Sequence, residues 1–134
     1  MDPGEAIADL KQVSTQVRDV AVADRAGTLR AASDTLGDSE ARELARVGAE
    51  LFDDAVAASA ALGHGELSQL EIATPDGSLF VIAAGGRIVV ATTEPDPTVG
   101  LVFYDLKTCL RAVSEAVAAD PGAQPETRRD DGQA

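Results

Sequence analysis

The side chains best suited to chemistry in this sequence are its single histidine, His64, and its single cysteine, Cys109. A catalytic histidine needs a carboxylate that orients its ring, and a metal site needs several ligands at an ordered spacing. His64 stands alone between Gly63 and Gly65, so a surface loop is its favoured interpretation. Cys109 lies within an apolar stripe, which predicts a desolvated and unreactive thiol.

Three other patterns that can support catalysis or phosphate binding have simpler explanations. No glycine-rich loop ends in Gly-Lys-Ser or Gly-Lys-Thr, so a phosphate cradle of that type is excluded. Gly85-Gly86-Arg87 can form an anion nest, but a two-residue hairpin turn accounts for it better. Asp53 and Asp54 point more than about 90° apart on a helix, which indicates a solvated face. The sequence therefore predicts no catalytic residue, cofactor, metal site or enzyme activity.

Length and charge limit the remaining function classes. A chain of 134 residues, 45% of them hydrophobic, fits one globular domain. The formal net charge of -12 disfavours nucleic acid and anionic membranes as partners. Acidity of this kind mostly serves solubility, and a basic partner surface is the alternative. One cysteine, an N-terminus without an apolar region and the lack of a long apolar run predict a cytoplasmic protein without membrane insertion.

The order of predicted elements is α-β-β-α-β-β-β-α. Asp2-Pro3-Gly4-Glu5 begins a helix over about residues 3–14, and two short strands joined by Asp24-Arg25-Ala26-Gly27 form a hairpin. A second helix runs from Gly37 to about residue 62. Three strands follow at about 67–74, 79–84 and 88–92, and a last helix begins after Asp96-Pro97-Thr98. Residues 120–134 are polar and charged, and we expect a disordered tail after a domain of residues 1–119.

Five strands linked by tight turns predict an antiparallel sheet flanked by helices, an α/β (α+β) fold. The strands at about 79–84 and 88–92 are almost wholly apolar, so helices must cover both faces of the sheet. The last helix concentrates its apolar residues in one arc of roughly 140°, with only Leu101 outside it. It therefore resembles a helix that buries one face on its own sheet and exposes the other.

The second helix carries an apolar arc of about 200°, which is more than one sheet face can hide. One side of this arc is mostly small, with Ala45, Ala49, Val56 and Ala60, and it predicts close approach of a second chain. The alternative is that alanine is a good helix former and tolerates exposure. The opposite side is charged; it contains Arg42, Glu43, Arg46, Glu50, Asp53 and Asp54.

In this order, the elements resemble the roadblock/dynein-light-chain family, with its profilin-like sandwich, over roughly residues 6–119. The resemblance rests on the hairpin at residues 20–29, the alanine-rich second helix, the strand pair at residues 80–91 and the entry into the last helix at residues 96–102. It implies a homodimer in which second helices pack together and third strands join edge to edge. The residues that we assign to this interface are Ala45, Ala49, Phe52, Val56, Leu70 and Ile72.

Bacterial members of that family, among them the gliding-motility polarity regulator, regulate small Ras-like GTPases. The resemblance therefore implies a non-catalytic adaptor that binds such a GTPase and modulates its cycle. We assign the partner-facing ridge to Arg42, Arg46, Glu50 and Asp53. One alternative is a scaffold for a signalling kinase or motor complex without a GTPase. Another is a small-ligand sensory module, although the core has few aromatic side chains to line a pocket.

Overall fold

The computed structural model describes residues 2–119, which form three helices and five strands. In chain order these are α1 (Pro3–Val13), β1 (Val17–Asp24), β2 (Leu29–Ala32), α2 (Asp38–Ala61), β3 (Gln69–Thr74), β4 (Gly77–Ala84), β5 (Arg87–Thr93) and α3 (Val99–Ala119). The predicted order of elements is confirmed. The expected disordered tail lies outside the described residues.

Local sequence signals explain where the first elements begin and turn. The Asp2 side chain accepts a hydrogen bond from the backbone N–H of Glu5 at 2.9 Å, and Glu5 accepts one from Asp2 at 3.2 Å. This reciprocal capping box begins α1. In the β1–β2 turn, Asp24 Oδ1 accepts from the N–H groups of Ala26 and Thr28, each at 3.0 Å. Gly27 completes this turn with a φ of +93°, a conformation that favours glycine.

All strand pairs are antiparallel, and the strands lie in the order β2-β1-β5-β4-β3. Most side chains of β1, β4 and β5 are buried on both faces of the sheet, which confirms that helices cover both faces. α1 and α3 contact each other and cover one face, while α2 packs on β1, β2 and β5 from the other. The fold is an α+β sandwich with β2 and β3 at the sheet edges.

The core beneath α1 and α3 contains the larger side chains. Leu10 of α1 and Leu106 of α3 belong to the same buried cluster as Val22, and the rings of Phe80 and Phe103 meet edge to face with centroids 4.9 Å apart. Along α3, Leu101 is exposed, as the sequence predicts, and Val99 is also at the border of exposure.

The core beneath α2 is built from smaller side chains. Ala21, Ala23 and Val90 of the sheet meet Ala45 and Phe52 of the helix. The helix backbone lies close to β5 at Gly48, because a Cβ added at this position would lie within 2.8 Å of Val90 Cγ1. Real Cβ atoms do not approach this closely, so the helix can pack at this distance only because residue 48 has no side chain.

Candidate partner-binding surface

On the α2 side of the sheet, α2 packs mainly on β1, β2 and β5, and no second helix of residues 2–119 packs beside it. The register pairs Leu70 with Val81 and Ile72 with Leu79, which places these four side chains on the same face as Val90, beneath the level of α2. Leu70, Ile72 and Leu79 are only half-buried. Strands β3 and β4 therefore carry apolar side chains beside α2 that the helix does not fully cover.

One flank of α2 also carries partly exposed apolar residues, and most of them are larger than the alanines on which the sequence prediction relied. Val47, Leu51 and Ala55 are half-buried, and Leu62 at the helix end is 68% exposed. At about 100° per residue these four side chains fall within roughly 80° of the helix circumference. We define the α2–β3 surface as Val47, Leu51, Ala55, Leu70, Ile72 and Leu79.

The structure corrects the assignment of Ala45, Ala49 and Phe52 to the dimer interface. Their exposed fractions are 0%, 5% and 0% within the single chain, because the sheet and the β1–β2 turn already cover them. The β1–β2 turn lies so close to α2 that a Cβ added to Gly27 would be 3.3 Å from the Cβ of Ala49. The small residues of α2 admit a second backbone, as expected, but that backbone belongs to the same chain.

The other three assigned interface residues differ from these. Val56, Leu70 and Ile72 are half-buried, and Val56 and Leu70 pack against the core beneath α2. Leu70 and Ile72 lie on β3, whose outer edge pairs with no other strand of residues 2–119. Free edges present unpaired N–H and C=O groups to which another strand can bind.

Arg42, Arg46, Glu50 and Asp53, the predicted ridge, are all exposed, and each pairs within the chain. Arg42 Nε lies 3.0 Å from Asp38 Oδ2. Arg46 contacts Glu43 at 2.7 Å and Glu50 at 2.8 Å, one turn away on either side. These i,i+3 and i,i+4 pairs neutralise charges along the ridge and support the helix. The ridge is therefore a mixed-charge surface with no large field of one sign.

Arg25 joins the ridge to the β1–β2 turn. Its guanidinium lies 3.1 Å from Asp53 Oδ1 and 5.0 Å from the centre of the Phe52 ring. The planar cation thereby makes a cation–π contact with a buried aromatic ring of α2. Sequence reasoning missed this contact, because Arg25 was interpreted only as a turn residue.

The Glu43–Arg46 pair is the ridge's main electrostatic feature. The hydrogen bond from Arg46, with its positive charge, lowers the pKa of Glu43 below its ordinary value. The same contacts, first with Glu43 and then with Glu50, raise the pKa of Arg46. Glu43 and Arg46 are exposed to solvent, so their pKa shifts have no large effect on stability.

The two residues with chemical potential are not brought together. His64 lies in the exposed loop after α2, as predicted. Cys109 is buried in α3, where burial and, to a lesser degree, the charge of Asp9 raise its pKa to about 11. Among the side chains that the structure describes, those of residues 2–113, no three from His, Cys, Asp or Glu are grouped so that they can hold a metal ion. None of the helices, as far as they are described, has the length and apolar character to cross a membrane.

A family model described as the Roadblock/LC7 domain matches residues 4–93, from α1 through β5. The chain belongs to the Roadblock/LC7 family. The match covers both sides of the α2–β3 surface and ends before α3 begins. No curated protein matches the chain.

Solved structures agree with the Roadblock/LC7 assignment. A Roadblock/LC7 domain from Streptomyces avermitilis superposes with a TM-score of 0.81 at 16% identity, covering 89% of this chain and 100% of its own. The gliding protein MglB from Thermus thermophilus gives 0.69 at 20% identity, covering 84% of this chain and 89% of its own. LokiProfilin2, in a complex with rabbit actin, gives 0.55 at 12% identity, covering 82% and 94%. These similarities establish the profilin-like roadblock fold.

Proposed function

We propose that this Roadblock/LC7 domain is a homodimeric, non-catalytic adaptor that binds a small Ras-like GTPase and modulates its cycle. The observation that carries the proposal is the α2–β3 surface, a set of half-buried apolar side chains on the flank of α2 and on strands β3 and β4. Apolar side chains grouped and exposed in this way mark a protein interface.

A second copy of the chain is the partner that best matches this surface. The surface combines an apolar helix flank with a free sheet edge, so two copies related by a twofold axis can pack α2 beside α2 and join β3 to β3. A stable interface buries about 800 Å² on each partner, and the strand edge and helix flank together offer contacts of both kinds. Val47 and Leu51 replace Ala45 and Ala49 as the central contacts of the proposed dimer.

The ridge supplies the second half of the proposal. In such a dimer two copies of α2 lie side by side, with Arg42, Arg46, Glu50 and Asp53 exposed next to the interface. Mixed charges at a rim set encounter rate and specificity more than affinity, which suits a partner that must be released. The switch loops of a GTPase change order with the γ-phosphate, so contacts to them distinguish the two nucleotide states.

No residue of the ridge is proposed to act directly on the nucleotide. Arg46 is held by Glu43 and Glu50, and Arg42 is held by Asp38. The proposed effect on hydrolysis arises from holding a switch loop in its hydrolytic arrangement. The absence of enzyme activity, the lack of nucleic-acid binding and a cytoplasmic location remain predictions from the sequence.

The test is a pull-down from the native cell with the purified domain as bait and the lysate nucleotide fixed as GDP or as a GTP analogue. We expect a small GTPase to be recovered preferentially in one state. An Arg46→Gln, Glu50→Gln double variant should lose that recovery, because it removes one charge of each sign and leaves the net charge unchanged. Arg111→Gln on α3 is the control, since Arg111 is exposed far from the ridge. Repeated recovery of only a kinase or motor component contradicts the GTPase proposal and supports the scaffold alternative.

A further inference from the structure

A second apolar surface lies on the opposite face of the sheet, between α1 and α3. It is a groove of about 620 Å³ whose lining includes Asp9, Leu10, Val13, Tyr104, Asp105 and Cys109. Its floor is apolar, with Leu10 and Cys109 almost fully buried. Val13 on one wall and Tyr104 on the other are 70% and 66% exposed.

The groove is negatively charged. Asp9 stands on the α1 wall and Asp105 on the α3 wall, and neither carboxylate has an ion-pair partner among residues 2–113, whose side chains the structure describes. Burial raises the pKa of the Cys109 thiol in the floor of the groove, and the negative charge of Asp9 raises it further. The lysine of α1, Lys11, is bonded through Nζ to the backbone carbonyls of Val17 and Arg18. It therefore does not neutralise the groove.

We propose that this groove binds a segment of a partner protein that inserts a large apolar side chain between Val13 and Tyr104 and places Lys or Arg beside Asp9 and Asp105. The apolar part of such a segment covers two side chains that a single chain leaves in water. Its cations complete two carboxylates on opposite walls, which fixes the orientation of the segment across the groove.

The C-terminal residues of the chain itself are a poorer match for the groove. Residues 120–134 contain Arg128 and Arg129, but they have no Val, Leu, Ile, Met, Phe, Tyr or Trp to fill the apolar floor. They also carry Asp120, Glu126, Asp130 and Asp131, which repel the two wall carboxylates.

The proposal does not rest on dimer formation. The groove lies across the sheet from the α2–β3 surface, so a dimer formed through that surface displays two free grooves. One wall of the groove belongs to α3, which lies beyond the residues 4–93 matched by the family model.

The chain contains a built-in reporter of groove occupancy. Tyr104 is its only tyrosine and it has no tryptophan, so intrinsic emission comes from one wall of the groove. The probe is a synthetic amphipathic helix of Leu and Lys without aromatic residues, titrated into the full-length protein. We expect a saturable change in tyrosine emission. A matched helix of Leu and Glu should produce none.

Two matched charge variants separate the groove from general attraction to an acidic protein. An Asp9→Asn, Asp105→Asn variant should weaken binding of the Leu–Lys helix roughly tenfold, because it removes both wall charges. An Asp54→Asn, Glu66→Gln variant loses the same charge at exposed sites on the α2 side and should bind as the unmodified protein does. Val13→Ser, at a 70% exposed position, should also weaken binding while the circular dichroism spectrum stays unchanged.

Three outcomes overturn the proposal. Equal weakening by both charge variants shows that only net charge attracts the peptide. Tyrosine emission that does not change while the peptide binds places the binding site elsewhere. Tyrosine emission that depends on protein concentration without peptide, and loses this dependence in Val13→Ser, assigns the groove to a second copy of the chain.

Discussion

On one face of the sheet α1 and α3 lie in contact with each other over the strands, whereas on the other face α2 lies alone over β1, β2 and β5. The first face closes over large side chains such as Phe80 and Leu106. The second closes over Phe52 and Ile88 but otherwise over alanines and valines, and beside α2 it leaves Leu70, Ile72 and Leu79 half-buried. A sheet of five strands is wider than one helix, so a fold with a single helix on one face leaves room for a partner there.

The largest contrast between the two faces is expected from deleting one phenylalanine on each. Phe80→Ala should cost about 4–6 kcal/mol of unfolding free energy, from cavity formation and loss of its edge-to-face contact with Phe103. Phe52→Ala should cost about 1 kcal/mol less, because the β1–β2 turn and Arg25 can settle into the space. Denaturant titration at one fixed protein concentration measures both values. A larger cost for Phe52→Ala contradicts the ranking of the two cores.

Alkaline pH should destabilise the fold through a buried group on the face beneath α1 and α3. The pKa of Cys109 is raised from 9.0 to about 11 by burial and then by Asp9, so the unfolded chain loses this proton first as pH rises. Below pH 9 the protonated thiol makes its full contribution to the free energy of unfolding. This contribution, about 3 kcal/mol at most, is lost as the pH rises from 9 to about 11.

Comparison with Cys109→Ala isolates this contribution from other groups that titrate in the same range. The stability of the unmodified protein should fall more steeply between pH 9 and 11 than that of the variant. Parallel curves for the two proteins contradict a buried, protonated thiol.

A smaller pair of changes tests how closely α2 rests on the sheet. Gly48→Ala should destabilise the fold by about 1 kcal/mol, because overpacking against Val90 exceeds the gain in helix propensity. Gly100→Ala, in the first turn of α3 with open space around it, should stabilise the fold by about 0.5 kcal/mol. Thermal or denaturant unfolding compares them, and the same sign at both positions rules out the close contact as the cause.

Local signals in the sequence predicted the elements well, because their causes are local. The Asp2–Glu5 capping box and the Asp24–Gly27 turn depend on residues within four positions of each other. The need for helices on both faces follows from the continuous apolar run of β4 and β5. These features do not require knowledge of which elements meet.

The direction of α2 could not be predicted in the same way. A helical projection gives the width of the apolar arc but not which part of it faces the chain's own sheet. The sheet selected the side of Ala45, Gly48 and Ala49, since small residues allow the closest approach to Val90. The larger Val47 and Leu51 were left on the flank. The small-residue side was therefore assigned to the wrong partner.

The most direct test of the account is the mass of the protein in solution, measured by light scattering after gel filtration. We predict a dimer, with twice the 13.7 kDa of one chain. Leu51→Lys should convert it to a folded monomer, because dimer formation would bury the lysine on the α2–β3 surface without an opposite charge beside it. Ala57→Lys adds the same charge to the exposed side of α2, four residues after Asp53, and should remain dimeric. A monomer in the unmodified protein, or equal masses for the two lysine variants, contradicts the assignment of this surface to a second copy of the chain.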